Sequence, residues 1–446
     1  MTLTKCVSRL LADVRSTPEA GTIRDIRREP PRSGWTRRGF VQAVAAAGAI
    51  PILTEKPAAA QAKQSAGRIR ITDLKLRRLR LEKDWGSYED YIGGRRGGRT
   101  GGGAIVEIRT DQGLVGIGPA ISPAAVQPIQ EYLSGKDPFD VNRHTAILYG
   151  GGREGGLRLP PGGRPVGIEI ALWDLIGKAA NQPLYKLWGG TRDRIMPYSS
   201  MFRLGPVEQR ADAAAQLKAH GWKAIKLKSH YQTMKEDVAQ IEAVRKACGP
   251  DFIIATDANK AGFSIANQGT RGVPWTFKRA YETAKELERL DVFWLEEPLP
   301  RYDFERLAEL NRLTTVNLAG GEEQNPGVHE FRWLLEKGCF DIIQPEINTQ
   351  GVAVLQKVAI IAESMEKLIV PHLGDGRLST VCDMHLVATW PNAPMLEVSN
   401  EGPEGAYEHD YAVFEHPIAL TKDGYFELPQ APGLGVSIRP DLFEKD

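Results

Sequence analysis

Apolar and polar residues alternate at two different periods along this chain, and the change of period divides it. Residues 68–82, RIRITDLKLRRLRLE, alternate with period two, which predicts a strand with one covered face. Residues 103–118, GAIVEIRTDQGLVGIG, read as two strands around a turn at Asp111-Gln112-Gly113. Helical spacing follows at about 124–150 and 165–188, so residues 63–192 form an α+β unit. From about residue 195, short apolar runs alternate with amphipathic helical stretches. The runs are RIMPYSS, AIKLKS, FIIATDAN, VFWLEEP, VNLAGGEE, DIIQPEI, LIVPHL and PMLEVS. Strands alternating with helices predict a parallel sheet, and eight such units predict a closed barrel over residues 193–414. The tail, residues 415–446, is rich in proline and glycine and is expected to pack back on the first unit. The predicted fold class is α/β, a (β/α)8-type barrel with an N-terminal α+β capping domain completed by the C-terminal tail.

Polar residues end these runs at Lys228, Asp257, Glu296, Glu322, Glu346, His372 and Glu397. The spacing is close to one βα unit per step. It places all seven at the C-terminal ends of successive strands, the face where barrel active sites lie. Asp257, Glu296 and Glu322 are carboxylates on three consecutive strands. They repel one another unless a cation neutralises them, and oxygen-only ligands select a hard ion, Mg²⁺ before Mn²⁺. Neighbouring residues on a strand face opposite ways, so one of Glu296 and Glu297 is expected to be the ligand and the other to face away. Lys226 and Lys228 are two apart and face the same way. Their closeness is expected to depress at least one pKa, which makes an amine usable as a base near neutral pH. Glu346 and His372 read as an acid/base histidine with a carboxylate partner.

Composition narrows the function classes. The net charge of +1 over 446 residues gives no field that selects nucleic acid or an anionic membrane. The four cysteines show no metal-ligand spacing. The glycine-rich stretch DWGSYEDYIGGRRGGRTGG (84–102) precedes a strand and does not open a helix, which excludes a dinucleotide fingerprint. Residues 1–62 differ from the rest. Arg37 and Arg38, a mild apolar stretch and Ala60-Gln61-Ala62 resemble a twin-arginine export signal with a cleavage site. The expected location is the periplasm, or the cytoplasm if that signal is not used, with no stable membrane insertion.

ALWDLIGKAANQPLYKLWGG (171–190), KLK, TDAN, WLEEP, GGEE, VPH and PGLGV occur in order between residues 68 and 441. Together they resemble the mandelate racemase and muconate-lactonizing branch of the enolase superfamily. The resemblance implies abstraction of the proton alpha to a carboxylate, with Mg²⁺ on Asp257, Glu296 and Glu322. It implies Lys228 as the base on one substrate face and His372, partnered by Glu346, as the acid/base on the other. It places Lys226, Asn259 and Glu397 near the substrate carboxylate. Glu346 stands where the family usually has aspartate, and residues 261–275 lengthen one loop. The expected reaction is dehydration of a sugar acid to a 2-keto-3-deoxy sugar acid. A racemase, epimerase or cycloisomerase is the alternative, and a non-catalytic sugar-acid binding protein is a third reading. The loop SYEDYIGGRRGGRT would close over the substrate, with Tyr88, Tyr91, Arg95, Arg96 and Arg99 as substrate contacts. The expected partners are a small-molecule carboxylate and further copies of the chain in a homo-oligomer, with no nucleic acid.

Overall fold

The structure, a computed structural model, describes residues 68–445 except 151–155, 161–164, 191, 263–273 and 374–376. The residues read as an export signal, and most of the lengthened loop, lie outside the described residues. The chain first builds an antiparallel sheet from β1 (Ile71–Arg78), β2 (Ala104–Thr110) and β3 (Val115–Pro119). The turn falls where the sequence places it, with Gly113 at φ +77°. Helices α1 (Pro123–Leu133), α2 (Val141–Tyr149) and α3 (Val166–Ala179) cover one face of this sheet, around Val106, Ile108, Ile129 and Leu172. Helix α3 lies unusually close to β3. A Cβ on Gly116 would stand 2.2 Å from the carbonyl oxygen of Ala171, and one on Gly118 2.0 Å from that of Gly167. Only glycine permits that approach.

The barrel follows as eight parallel strands: β4 (Pro197–Ser200), β5 (Ala224–Lys228), β6 (Ile253–Asp257), β7 (Trp294–Glu296), β8 (Asn317–Gly320), β9 (Ile342–Ile343), β10 (Leu368–Ile369) and β11 (Leu396–Ser399). Neighbours in sequence pair in space, and β11 returns to pair with β4. A helix follows each of the first seven: α4 (Val207–Ala219), α5 (Met234–Cys248), α6 (Phe277–Arg289), α7 (Phe304–Leu313), α8 (Val328–Glu336), α9 (Val352–Ser364) and α10 (Leu378–Val387). Helix α5 opens on a capping box between Thr233 and Glu236. Full closure by a backbone ladder was expected. Between β10 and β11 no ladder forms among the described residues. The gap is crossed instead by Ile369 N donating to Asn392 O (3.1 Å) and Leu373 N donating to the Glu397 carboxylate (3.0 Å). Proline explains the short strands here. Pro345 and Pro371 follow β9 and β10, and neither has an N–H to extend the ladder.

Two buried carboxylates of the capping unit tie it to the barrel and tail. Glu169 on α3 accepts from the backbone N–H groups of Val352 (3.1 Å) and Ala353 (2.9 Å), and from Tyr149 OH at 2.6 Å. It therefore caps the start of α9 from another part of the chain. Asp174 accepts from Ile117 N (2.9 Å) and Leu434 N (2.8 Å), and binds Lys178 Nζ at 2.7 Å. Glu169→Ala is expected to cost about 2 kcal/mol, because it strands buried N–H donors. Thermal unfolding checks this, and Glu169→Gln should recover part of the loss. Among the described residues, no helix is long and apolar enough to cross a membrane.

Candidate active site

In-register parallel pairing builds the centre of the site. Lys228 stands opposite Asp257, and Asp257 opposite Glu296, across β5, β6 and β7. All three side chains thus belong to one layer at the strand ends, and all are buried. Lys226, one layer below, is fully buried. Its Nζ lies 2.9 and 3.0 Å from the two oxygens of Glu296, 2.8 Å from Glu397 and 3.9 Å from Asp257. Lys228 Nζ reaches Asp257 Oδ2 at 2.7 Å and Asn259 Oδ1 at 2.9 Å. Asn259 adopts φ +45°, which asparagine tolerates, and its own N–H closes on Asp257 Oδ1 at 2.7 Å.

The expectation that two adjacent lysines depress each other's pKa is overturned. Burial does oppose both charges. Glu296 and Glu397 nevertheless hold Lys226 well above the ordinary lysine value, and Asp257 raises Lys228. Each ammonium has a carboxylate oxygen within 2.9 Å, and that attraction raises both.

The second glutamate of LEEP is buried as well. Glu297 takes φ +44°, a strained backbone for glutamate. Its carboxylate is buried, and neither oxygen has a hydrogen-bond partner among the described residues. Burial, followed by Glu322, Asp257 and Glu296, raises its pKa well above the carboxylate range. Glu296, by contrast, is satisfied by Lys226, by Trp294 Nε1 at 3.1 Å and by Gln344 Nε2 at 3.0 Å. Burial and Asp257 push Glu296 up to about 7 against the pull of Lys226.

His372 lies on the far side, with 25% of its side chain open. Its Nε2 binds Glu322 Oε2 at 3.0 Å, while Glu346 Oε2 stands 3.8 Å from Nδ1 and makes no hydrogen bond to it. Glu346, the expected partner, is therefore near but second to Glu322. Burial opposes both charges of the close pair. His372 still holds Glu322 down to about 2, and Glu322 with Glu397 raises His372 to about 10.

As the side chains stand, no three acids or histidines among the described residues are gathered to share one ion. Asp257 is turned to Lys228, Glu296 to Lys226 and Glu322 to His372. The residues nonetheless fit a hard divalent cation. The donors are carboxylate oxygens, and the Glu297 carboxylate is buried among them without a donor.

Of the loop residues, Tyr91 joins the site. Its backbone N–H is fixed to Phe202 O at 2.8 Å, and Lys228 Nζ lies 4.6 Å from its ring. Tyr88, Arg95, Arg96 and Arg99 line a neighbouring cavity, and among the described residues no hydrogen bond or ion pair joins them to the acid cluster. Sequence reasoning missed Trp294 and Gln344. Each stands two residues before a singled-out glutamate, so the period of two already placed them on the same face.

Residues 99–189 match the mandelate racemase/muconate lactonizing enzyme N-terminal domain, and residues 208–442 match the enolase C-terminal domain-like family. An arabinonate dehydratase of Saccharolobus solfataricus is 29% identical over 63% of this chain and 70% of its own length. A D-galactarolactone cycloisomerase of Agrobacterium fabrum is 29% identical over 76% of this chain and 89% of its own length. Among solved structures, the L-talarate dehydratase of Polaromonas complexed with Mg and L-glucarate superposes with a TM-score of 0.66 at 25% identity. That match covers 84% of this chain and 98% of the other. The chain is an enzyme of the enolase superfamily and belongs to its mandelate racemase/muconate lactonizing enzyme branch.

Proposed function

We propose that the protein dehydrates a sugar acid to a 2-keto-3-deoxy sugar acid. The observation that carries this reading is a buried amine, Lys228, and an imidazole, His372, on different sides of one carboxylate-rich centre, with Lys226 below it. Relatives that dehydrate arabinonate, galactonate and talarate or galactarate support it. Lys226 orients the substrate carboxylate, as it already engages the carboxylates of Glu296 and Glu397. Lys228 would become the neutral amine once a cation draws Asp257 away from it; it then takes the alpha proton at Nζ, and the C–H electron pair becomes the enolate. His372 donates from its ring to the departing β-hydroxyl. Water leaves, and the resulting enol tautomerises to the 2-keto acid. Asp257, Glu296 and Glu322 would hold Mg²⁺, with Glu297 beside them. The ion's charge would stabilise the enolate dianion.

The test is a library of acid sugars with Mg²⁺, read by 2-keto-acid formation. One substrate class is expected to give keto acid in the wild type. Formation of an inverted stereocentre alone, or of a ring-changed product alone, would replace dehydration with epimerisation or cycloisomerisation. The geometry around His372 gives a second expected outcome. His372→Ala should lower turnover by about 10²–10⁴-fold, as for loss of a general acid. Glu346→Gln should lower it less than about tenfold, because Glu346 makes no hydrogen bond to the ring. Steady-state kinetics on the two variants decide between them.

A further inference from the structure

A second polar cavity of about 650 Å³ adjoins the site, between the loop of residues 84–99 and the segment after β11. Four arginines line it: Arg95, Arg96, Arg99 and Arg377. Three already face an acid. Arg96 binds Asp90 at 2.8 Å, Arg99 lies 3.5 Å from Asp84, and Arg377 lies 3.6 Å from Asp410. Arg95 does not. Its Nε and Nη2 both donate to the Ser87 hydroxyl, at 3.0 and 2.6 Å, and it has no carboxylate partner among the described residues. The pocket thus carries one positive charge in excess, on a guanidinium suited to a two-oxygen anion.

Arg96, which lines the cavity, and Lys228 of the acid cluster pack against one ring. Arg96 Cζ lies 4.6 Å, and Lys228 Nζ 5.3 Å, from the centroid of the same Phe202 ring. The two cations are therefore at most the sum of those distances apart, about 10 Å. Ser399, which also lines the cavity, is two residues beyond Glu397 on β11 and so faces the same way, about 7 Å further along. The backbone that carries this ring is held in place. Glu401 accepts from the N–H groups of Phe202 and Arg203 at 2.8 and 3.0 Å and is clamped by Arg210 at 2.9 Å. An extended six-carbon diacid, about 6 Å between its end carbons with a hydrogen bond of about 3 Å at each end, matches the Arg96–Lys228 separation.

We infer that this arginine-lined cavity takes a second carboxylate, so that the substrate is a dicarboxylic sugar acid held at both ends. Resting on the dehydratase reading, this names which sugar acids it applies to. The first carboxylate meets Lys226 and the alpha proton meets Lys228. The far carboxylate meets Arg95, with Arg96 and Arg99 setting the field around it. A single excess charge matches a carboxylate monoanion better than a phosphate dianion. An uncharged terminal hydroxymethyl would leave that charge unanswered.

The test uses matched probes that differ only at the far end: glucarate against gluconate, galactarate against galactonate, and 6-phosphogluconate as the phosphate arm. Each is measured with Mg²⁺ by keto-acid formation and by alpha-deuterium exchange, in the wild type, Arg95→Gln and Arg95→Lys. The expected result is that one diacid exceeds its monoacid at least tenfold in kcat/KM. Arg95→Gln should collapse that ratio at least tenfold through KM, and Arg95→Lys should keep part of it. A monoacid or 6-phosphogluconate used as well as the diacid would overturn the inference. So would a diacid preference that Arg95→Gln leaves intact. If no sugar acid exchanges its alpha proton, the dehydratase reading fails. Calorimetric titration of the same diacid and monoacid pairs into wild type and Arg95→Gln then decides the pocket separately. Tighter diacid binding lost in the variant supports it, and equal binding sinks it.

Discussion

Lys228→Ala is expected to lower kcat/KM by about 10²–10⁴-fold and to stop exchange of the alpha proton with solvent deuterium, as for loss of a general base. The alanine change alone is ambiguous, because it also strips Asp257 of the ammonium 2.7 Å from its Oδ2. Lys228→Arg resolves this. Arginine keeps the positive charge beside Asp257, but it does not give up its proton at any working pH. A base role predicts that Arg fails as completely as Ala. A purely electrostatic role predicts that Arg retains most of the exchange. Mass spectrometry of substrate recovered from deuterated buffer reads the difference directly, whatever the final product.

Asp174→Ala is expected to cost about 3 kcal/mol of stability, without contact with any reacting group. The Asp174 side chain is fully buried and accepts from two backbone N–H groups, Ile117 in β3 and Leu434 in the tail. Removing it leaves two buried donors without an acceptor, each costing about 1–3 kcal/mol. Lys178, partly exposed, can turn to water and loses less. The backbone leaves no room for a substitute. Gly433 sits at φ +78°, and a Cβ there would stand 2.1 Å from Asp174 Oδ1. Gly433→Ala should therefore destabilise in the same direction. Chemical denaturation of the two single variants and the double checks both. A double variant no worse than the poorer single would show that they break one clamp.

Much of the fold was legible because its signals are local. Alternation of period two marked β1, β2 and β3, and the repeating run-then-helix pattern counted the eight barrel strands. The same period put Lys226 and Lys228 on one face. What misled was reasoning about pairs from adjacency along the chain. Lys226 and Lys228 are neighbours in sequence, yet each is governed by a carboxylate from another strand. Glu346 and His372 end successive runs, yet Glu322, fifty residues before His372, holds the ring more closely. Of the loop residues named together as substrate contacts, Tyr91 lies against Lys228, whereas Arg95, Arg96 and Arg99 line the neighbouring cavity, a division that no period in the sequence shows.

The sequence by itself determined which residues stand at the C-terminal ends of the strands, since side-chain alternation and the length of a βα unit are properties of short segments. The tertiary structure alone decided which of them touch. Inter-strand register set Lys228 opposite Asp257 and Asp257 opposite Glu296. A left-handed φ at Glu297 left its carboxylate buried without a donor. Asp174 found Leu434 260 residues away. Register, local backbone strain and long-range closure depend on how whole elements pack, and no window of the sequence short enough to show a period contains that information.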